Sequence, residues 1–146
     1  MSQLRWVPIR TTLVNGRWQP DYDAAPGFTP SMWRGHSRSP ADNEWRLYTL
    51  GGTDVVARVS LNPTFPSHDG APRALLIDRI EVRADRRHEG IGAAVITDLV
   101  NEHRRTEIYA GPTPSSLSWW DETVCWPRCD CHACIGRASG FVVWRP

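Results

Sequence analysis

Apolar residues along the chain fall into short runs separated by glycine, proline and asparagine. Short runs rich in β-branched and aromatic residues, bounded by such turn formers, predict β-strands. The Asn15-Gly16 pair lies between two of these runs and predicts a β-hairpin, while Pro8 in the preceding run favours a strand at a sheet edge. Residues 44–50 and 55–61 predict a second hairpin.

The second half of the chain alternates between predicted strands and helices. Residues 20–43 and 62–73 are rich in proline, glycine and polar side chains and predict loops. The order of elements predicts an α+β or mixed α/β fold. The predicted elements are a strand at 74–82, a helix at 93–103, a strand at 107–110, a short helix at 115–124 with Ser115 or Ser116 as its N-cap, and a strand at 140–144.

Composition adds three limits to this picture. A length of 146 residues, 40% of them apolar, predicts a single domain (residues 1–146) with one core. The formal net charge of +1 argues against a strongly electrostatic nucleic-acid binder. No apolar run approaches the roughly 20 residues that span a bilayer, and the N-terminus has no signal-peptide core. We therefore expect a cytoplasmic protein without a membrane or nucleic-acid partner.

A turn rich in arginine and glycine, residues 87–94, leads from the strand at 74–82 into the helix that follows. Glycines let a backbone come close to a ligand, and the free N–H groups and dipole of a helix N-terminus favour an anion. Arg87 adds a full positive charge. The turn lacks the Gly-Lys-Ser/Thr of a P-loop, and its glycine spacing differs from the dinucleotide-binding fingerprint. It predicts either a phosphate-binding turn or an ordinary turn whose glycines serve its shape.

Residues 80–96 carry a more specific likeness. The succession of a strand, Arg-x-x-Gly-x-Gly and a helix resembles the acetyl-CoA-binding motif of the GNAT N-acetyltransferase superfamily, and Gly140-Phe141 resembles its C-terminal signature. The resemblance covers residues 44–144 and is specific over 74–100. It implies a mostly antiparallel, splayed central sheet flanked by helices, to which the cysteines at 125–134 would add a Cys-rich insertion near the C-terminus. It also implies an N-acetyltransferase that transfers the acetyl group of acetyl-CoA to a primary amine by direct attack.

The resemblance further implies how acetyl-CoA would be held. Backbone groups of Ile80 and Val82 would pair with the pantetheine arm, and Arg87 would lie beside the pyrophosphate. Ser115 and Ser116 fall where the superfamily often has a polar contact to the cofactor, and Ser116 is the predicted contact. The pyrophosphate would accept hydrogen bonds from the backbone N–H groups of His88, Glu89, Gly90, Ile91, Gly92 and Ala93.

Two carboxylates on the predicted central strand could remove a proton from the attacking amine. Period-two alternation places Asp78 and Glu81 on opposite faces of a regular strand, whereas a bulge, common here in the superfamily, would change that parity. Either could act directly or through water. Glu81 lies closer to the expected thioester and is slightly favoured. The alternative is that both are surface carboxylates paired with Arg79 or Arg83.

Two departures from the superfamily bear on activity. Many relatives use a tyrosine just before the Gly-Phe pair as general acid, but residues 136–139 contain none, so Ser139 or a water would have to substitute. Residues 15–43 do not predict the two helices that usually help to form the acceptor site. Aromatic and apolar residues would either build that site or pin a loop to the core: Trp18, Tyr22, Phe28, Met32 and Trp33. A non-catalytic acyl-CoA-binding module is the alternative function.

Four cysteines cluster near the C-terminus, at Cys125, Cys129, Cys131 and Cys134. Four thiolates could enclose a tetrahedral zinc ion, which would be structural because no coordination position stays open. His132 is a spare ligand. Free thiols, disulfides and an iron–sulfur cluster remain alternatives. A zinc-stabilised interaction or regulatory domain is thus a further interpretation of the same fold, and the predicted partners are acetyl-CoA, an unidentified amine and, as in many relatives, a second copy of the chain.

Overall fold

The computed structural model describes residues 3–20, 27–29, 43–68, 70, 73–131, 134 and 140–146. The described strands form a six-stranded sheet in the order β1-β4-β5-β6-β7-β8 and a separate β2-β3 hairpin. The strands are β1 (Leu4–Pro8), β2 (Thr11–Val14), β3 (Arg17–Pro20), β4 (Glu44–Leu50), β5 (Asp54–Phe65), β6 (Ala74–Val82), β7 (Ile108–Ala110) and β8 (Val142–Trp144). The helices are α1 (Ile91–Glu102) and α2 (Leu117–Trp119), which continues into a π-helical turn at Trp120–Val124.

The N-terminal predictions are confirmed. Asn15 and Gly16 have φ angles of 52° and 76°, the left-handed region that a tight two-residue hairpin turn requires. β1, which ends at Pro8, pairs with β4 alone and forms one edge of the six-stranded sheet. An edge strand tolerates proline because it loses no ladder hydrogen bond on its outer side.

The central hairpin is confirmed, but β5 is longer than predicted. It continues to Phe65, which pairs with Ala74, so the predicted loop at 62–73 begins only after residue 65. The register between β5 and β6 shifts between Asn62 and Phe65. Pro63 lies at this irregularity, where a missing N–H costs no regular ladder bond. Pro63 therefore lies at an irregularity within β5 and not at the end of the strand.

The helix predictions need small corrections. α1 begins at Ile91 rather than residue 93, because Gly90 at φ 80° provides the turn that starts it. The predicted helix at 115–124 is only three α-helical residues followed by the π-helical turn. Ser116 precedes it without capping it, since its Oγ accepts the Thr113 N–H at 2.9 Å. The last strand starts at Val142 rather than at residue 140.

One face of the sheet, the helix face, carries the main core. α1 buries Ile91, Val95, Ile96 and Leu99 against apolar side chains of β4 to β8. These positions recur at the spacing of one side of an α-helix, which explains why α1 packs with this side inward. Among the described residues, no helix has both the length and the apolarity to cross a membrane.

The opposite face, the far face, has a second apolar cluster under β6, β7 and β8. The cluster contains no residue of α1 or α2, and the Cys-rich segment supplies part of its cover. Its buried members are Ala74, Leu76, Tyr109, Val143, Cys129 and Cys134. Residues 21–26 and 30–42, including Tyr22, Met32 and Trp33, and also His132 and Ser139, lie outside the described residues.

Candidate functional site

The sheet opens between β6 and β7. Leu75–Ile77 pair in parallel with Ile108–Ala110, where β7 ends, while β6 continues to Val82. Beyond Ile77, β6 therefore pairs only with β5 and leaves its second edge without a neighbouring strand among the described residues. An open strand edge presents backbone donors and acceptors that an extended ligand can use.

The backbone groups on that open edge can be identified. The Arg83 N–H donates to the Val56 carbonyl of β5 at 2.8 Å. Because successive residues of a strand direct their N–H and C=O groups to opposite sides, Ile80 and Val82 direct theirs away from β5. The Val82 carbonyl accordingly accepts the Nε–H of Arg87, which lies outside the sheet, at 3.1 Å.

A cleft of about 770 Å³ occupies the opening. Its walls are the β6 edge at residues 77–82, the turn into α1, and the segment after β7 that ends in the paired rings of Trp119 and Trp120. Ser116 lines the cleft on that third wall. The strand edge and the helix N-terminus thus line the same cavity.

The turn into α1 owes its shape to two glycines. Gly90 has φ 80°, and a Cβ there would meet no atom within 4 Å, so its conformation rather than crowding favours glycine. A Cβ on Gly92 would lie 2.8 Å from the Trp119 ring, so this glycine allows helix and ring to approach closely. His88 also has a positive φ, 67°. The first backbone N–H groups of α1 have no acceptor within the helix and face this turn.

The predicted cofactor-binding side chains differ in their surroundings. Arg87 is half exposed, and its Nη2 lies 3.7 Å from Glu81 Oε2. Glu89 pairs with Arg86 at 3.4 Å. Ile91 is buried in the core of the helix face, so only its backbone can serve a ligand. His88 and Ala93 line the cleft.

A bulge in β6 changes which face its carboxylates occupy. Ser60 pairs with Arg79 and Leu61 with Ile77, so Asp78 is the extra residue. Ser60 lies between two helix-face residues of β5 and faces the far side, and Asp78 Oδ2 lies 3.5 Å from its Oγ. Glu81 contacts Arg58, two residues from Ser60 on the same strand. The two carboxylates therefore share the far face instead of opposing each other.

Glu81 is buried in an ionic network. Its Oε1 accepts hydrogen bonds from Nε and Nη2 of Arg58 at 3.0 and 2.7 Å, and the Arg58 side chain is fully buried. The Thr29 N–H and hydroxyl also donate to the Glu81 carboxylate. The ring of Phe28 lies 4.8 Å from the Arg58 guanidinium carbon. These donors fix the Glu81 carboxylate between Arg58 and Thr29.

Asp78 lies at a different point of the cleft. It is half-buried at the fork where β6 leaves β7, it lines the cleft, and its Oδ2 accepts a hydrogen bond from the Ser60 hydroxyl at 3.5 Å. Ser60 in turn contacts the side-chain amide of Asn43 at 3.1 Å. Both carboxylates line the cleft, and Asp78 is the one that lies at the fork, next to the end of β7.

A second group of functional side chains lies on the far face. The structure brings Cys129, Cys131 and Cys134 together with His68, whose ligand atoms all lie within 4.8 Å of one another. Burial raises the pKa of the Cys129 thiol. Cys125, predicted as the fourth ligand, is exposed at the end of the π-helical turn and approaches the Glu122 carbonyl at 3.4 Å.

The correction from Cys125 to His68 has a topological cause. His68 follows β5 and lies 61 positions before Cys129, so no local spacing connects the two. Phe65 at the end of β5 pairs with Ala74 at the start of β6, and β6 lies beside β7. As a result of these strand pairings, His68 lies next to the Cys-rich segment. Arg58 and Thr29, the partners of Glu81, were missed for the same reason.

Comparison with known proteins defines the fold. The sequence matches no protein-family model and no curated protein. An acetyltransferase from Thermus thermophilus has a TM-score of 0.55 at 14% identity, over 70% of this chain and 64% of that one. The Bacillus subtilis N-acetyltransferase YlbP, solved with coenzyme A, has a TM-score of 0.54 at 18% identity, over 70% and 67%.

A Staphylococcus aureus Mu50 acetyltransferase of the GNAT family matches with a TM-score of 0.49 at 12% identity, over 72% of this chain and 68% of that one. The fold assignment rests on the other two structures, whose TM-scores are higher. The chain has the fold of these two acetyltransferases, as predicted from the resemblance of residues 80–96. It spans 64% of the length of the Thermus protein. At these identities the likeness shows the fold, and function depends on the site.

Proposed function

We propose that the protein is an acyl-CoA-dependent N-acyltransferase that transfers the acetyl group of acetyl-CoA to a primary amine. One observation carries the proposal: the open edge of β6 runs directly into the glycine turn and the N-terminus of α1 within a single cleft. An extended ligand with amides at one end and phosphates at the other matches this order of groups. Coenzyme A has that chemistry, and the Bacillus protein of similar fold was solved with it.

In the proposed complex the pantetheine arm lies along β6 as an additional strand. The N–H and C=O groups of Ile80 and Val82 point into the cleft and would pair with its amides. The pyrophosphate would accept from the backbone N–H groups between His88 and Ala93, where the helix dipole favours an anion. Arg87, anchored on the Val82 carbonyl, would contribute its charge beside them.

The acetyl thioester would then lie at the fork between β6 and β7, next to Asp78 and Ala110. An amine arriving from the far face would attack the thioester carbonyl carbon, forming the C–N bond and, after collapse of the tetrahedral intermediate, breaking the C–S bond. Since the thioester is already activated, the protein mainly has to position the reactants. A backbone N–H at the fork would stabilise the oxyanion.

Asp78 is the proposed general base, directly or through a water. Glu81, slightly favoured from the sequence, is held by Arg58 and Thr29 and serves in this proposal to fix β6 against residues 27–29. The proton taken from the amine leaves through Asp78, and the coenzyme A thiolate is protonated by solvent. The described residues lining the cleft include no tyrosine for that step. A binding module without turnover is therefore the second candidate.

A calorimetric titration with acetyl-CoA tests the binding half of the proposal. Wild-type protein should bind, and Gly90→Glu should abolish binding because a carboxylate would occupy the phosphate position. Gly52→Glu is the matched control: Gly52 has φ 84° and open space around it, like Gly90, but lies in the β4–β5 turn outside the cleft. It carries the same backbone strain and should bind normally. Wild-type protein that binds no acyl-CoA would refute the proposal.

Thiol release in the presence of an amine panel tests the catalytic half. An enzyme releases coenzyme A faster with an amine than without one, whereas a binding module shows only the hydrolysis background. The identity of the amine, a homodimeric state and a cytoplasmic location remain predictions. Phe28, one of the residues predicted either to build the acceptor site or to pin a loop to the core, is buried over the Arg58 guanidinium.

A further inference from the structure

We propose that His68, Cys129, Cys131 and Cys134 bind one Zn²⁺ ion in a structural site that fastens the Cys-rich segment to the far face of the sheet. The proposal does not depend on the acyltransferase activity. It replaces the four-cysteine set expected from the sequence with a Cys₃His set drawn from two distant parts of the chain.

The spacing of the four ligand atoms fits one tetrahedral ion. His68 Nδ1 lies 3.5 Å from Cys129 Sγ, 3.3 Å from Cys131 Sγ and 3.5 Å from Cys134 Sγ. With Zn–S near 2.3 Å and Zn–N near 2.0–2.1 Å, a regular tetrahedron separates nitrogen from sulfur by about 3.6 Å. Nδ1 is thus almost equidistant from the three sulfurs, as one corner of a tetrahedron is from the other three.

Hydrogen bonding does not explain the arrangement. An imidazole Nδ1 carries either one hydrogen or one lone pair, so it can form one good hydrogen bond and not three equal ones. Cys129 and Cys134 are 5% and 6% exposed and Cys131 is half-buried, so three sulfurs surround one ring nitrogen largely away from solvent. A metal ion supplies a common partner, because it replaces the thiol protons and attracts all four ligand atoms.

The surrounding residues hold the ligands in place. The His68 ring packs against Tyr109 and Phe141 with centroid distances of 4.8 and 5.3 Å. The backbone N–H of His68 donates to the Tyr109 hydroxyl at 3.1 Å. The Cys129 N–H donates to the Phe141 carbonyl at 2.7 Å. The Cys134 N–H donates to the Cys131 carbonyl at 3.0 Å. Such outer contacts orient metal ligands before the metal binds.

The ligand set also indicates which metal and which role. One nitrogen and three thiolates in a tetrahedron select zinc among common cellular ions, and four protein ligands leave no position open for a substrate. None of the four residues lines the cleft. The ion would connect the loop after β5 with the segment before β8. Phe141, in contact with His68, also packs near Gly111, which lines the cleft.

Metal analysis of the full-length protein, purified without a metal-affinity step, tests the site. We expect one zinc per chain in the wild type and in Cys125→Ser, and a loss of zinc in His68→Ala and Cys131→Ser. Cys125→Ser is the matched control because it removes a thiol of the same segment that lies outside the tetrahedron. Cys131 is the least buried of the three cysteine ligands and is the substitution most compatible with folding.

Cobalt replacement gives a second readout that does not need a folded ligand variant. Wild-type protein and Cys125→Ser, stripped of zinc and refolded with Co²⁺, should both show the strong visible absorption of tetrahedral thiolate-bound cobalt. Folded wild-type protein that holds no zinc and gives no such absorption would overturn the proposal. Equal loss of zinc in Cys125→Ser and His68→Ala would overturn the ligand set. Iron with bound sulfide in the purified protein would overturn the choice of metal.

Discussion

The two faces of the sheet are built on different principles. The helix face is covered by α1, whose buried side chains follow a single periodic pattern within 12 residues. The far face has a smaller apolar cluster and, beside it, polar and ligand-type groups that come from distant positions: Glu81 with Arg58 and Thr29, Asp78 with Ser60, and His68 with three cysteines. Apolar packing is non-directional and tolerates local adjustment, whereas each polar far-face cluster depends on a few exact partners.

In the proposed function, cofactor binding and proton transfer fall on different faces of the sheet. The turn proposed to bind the cofactor belongs to the start of α1, so the face with the conventional core would hold acetyl-CoA. The proposed base, the route of the amine and the proposed zinc ion lie on the far face. We therefore expect substitutions on the far face to have larger effects and to distinguish stability from catalysis more clearly than substitutions on the helix face.

The largest effect is expected for Asp78→Asn. Removal of the proposed base should lower kcat/KM by roughly 100- to 10,000-fold, the usual contribution of general base catalysis, and leave acetyl-CoA affinity unchanged. Steady-state kinetics with the best amine, together with calorimetry, would measure both quantities. Glu122→Gln, which removes an exposed carboxylate outside the cleft, is the control. If Asp78→Asn keeps wild-type activity and a folded Glu81→Gln loses it, the assignment of the base is reversed.

Breaking the buried ion pair should produce the next largest effect. Arg58→Met leaves the Glu81 carboxylate buried without its main partner and should reduce the free energy of unfolding by about 3–5 kcal/mol in denaturant titrations. The double variant Arg58→Met/Glu81→Met should recover much of this loss. Asp121→Asn, which removes an exposed pair with Arg128, should cost under about 1 kcal/mol. Equal losses for Arg58→Met and Asp121→Asn would show that the buried network is not important for stability.

On the helix face, Gly92→Ala should have a smaller effect. Its Cβ would lie 2.8 Å from Trp119, which must shift, while alanine gains about 1 kcal/mol of helix propensity. We expect the free energy of unfolding to fall by about 1 kcal/mol, measured by thermal unfolding, and acetyl-CoA affinity to weaken, measured by calorimetry. Gly111→Ala adds a Cβ 3.5 Å from Phe141, an ordinary van der Waals distance, and should change stability and acetyl-CoA affinity less. A Gly92→Ala protein with unchanged affinity would place the ligand away from Trp119.

The smallest effect is expected at the end of α1. Burial opposes ionisation of Glu102, but hydrogen bonds from Arg46 outweigh it and hold the pKa of this carboxyl below its usual range. The resulting stabilisation is complete above the unfolded-state pKa, near 4.3, and is lost as the pH falls through the lower folded-state value. Glu102→Gln should lower the free energy of unfolding by under about 1 kcal/mol at pH 7. In urea titrations the difference in unfolding free energy between this variant and the wild type should shrink on acidification. A difference that grows instead would contradict the ion pair.

The sequence predicted local features well. The turn at Asn15-Gly16, the strand at 74–82 and the glycine turn into α1 each depend on neighbouring residues, whose conformational preferences can be read directly. The motif at residues 80–96 then led to the fold and to the position of the cleft. These predictions hold because strand, turn and helix lie consecutively in the chain.

The far face was not predictable in the same way. A single inserted residue at Asp78 moves the following side chains to the other side of β6, and no local pattern marks where such a bulge occurs. Glu81 was slightly favoured as the base because it lies closer to the expected thioester. Its partner Arg58 lies on another strand, so local spacing could not reveal the ion pair. His68 was missed as a member of the cysteine cluster for the same reason, and Cys125 was included because it is close in sequence.

Amide hydrogen exchange with and without acetyl-CoA tests the central claim most directly, because it reports where the ligand binds along the backbone. The account predicts slower exchange in peptides that cover residues 78–82 and 87–93, with no change in those covering the Cys-rich segment at 125–131. Protection confined to the Cys-rich segment, or no protection at a saturating acetyl-CoA concentration, would contradict the assignment of the cleft as an acyl-CoA site.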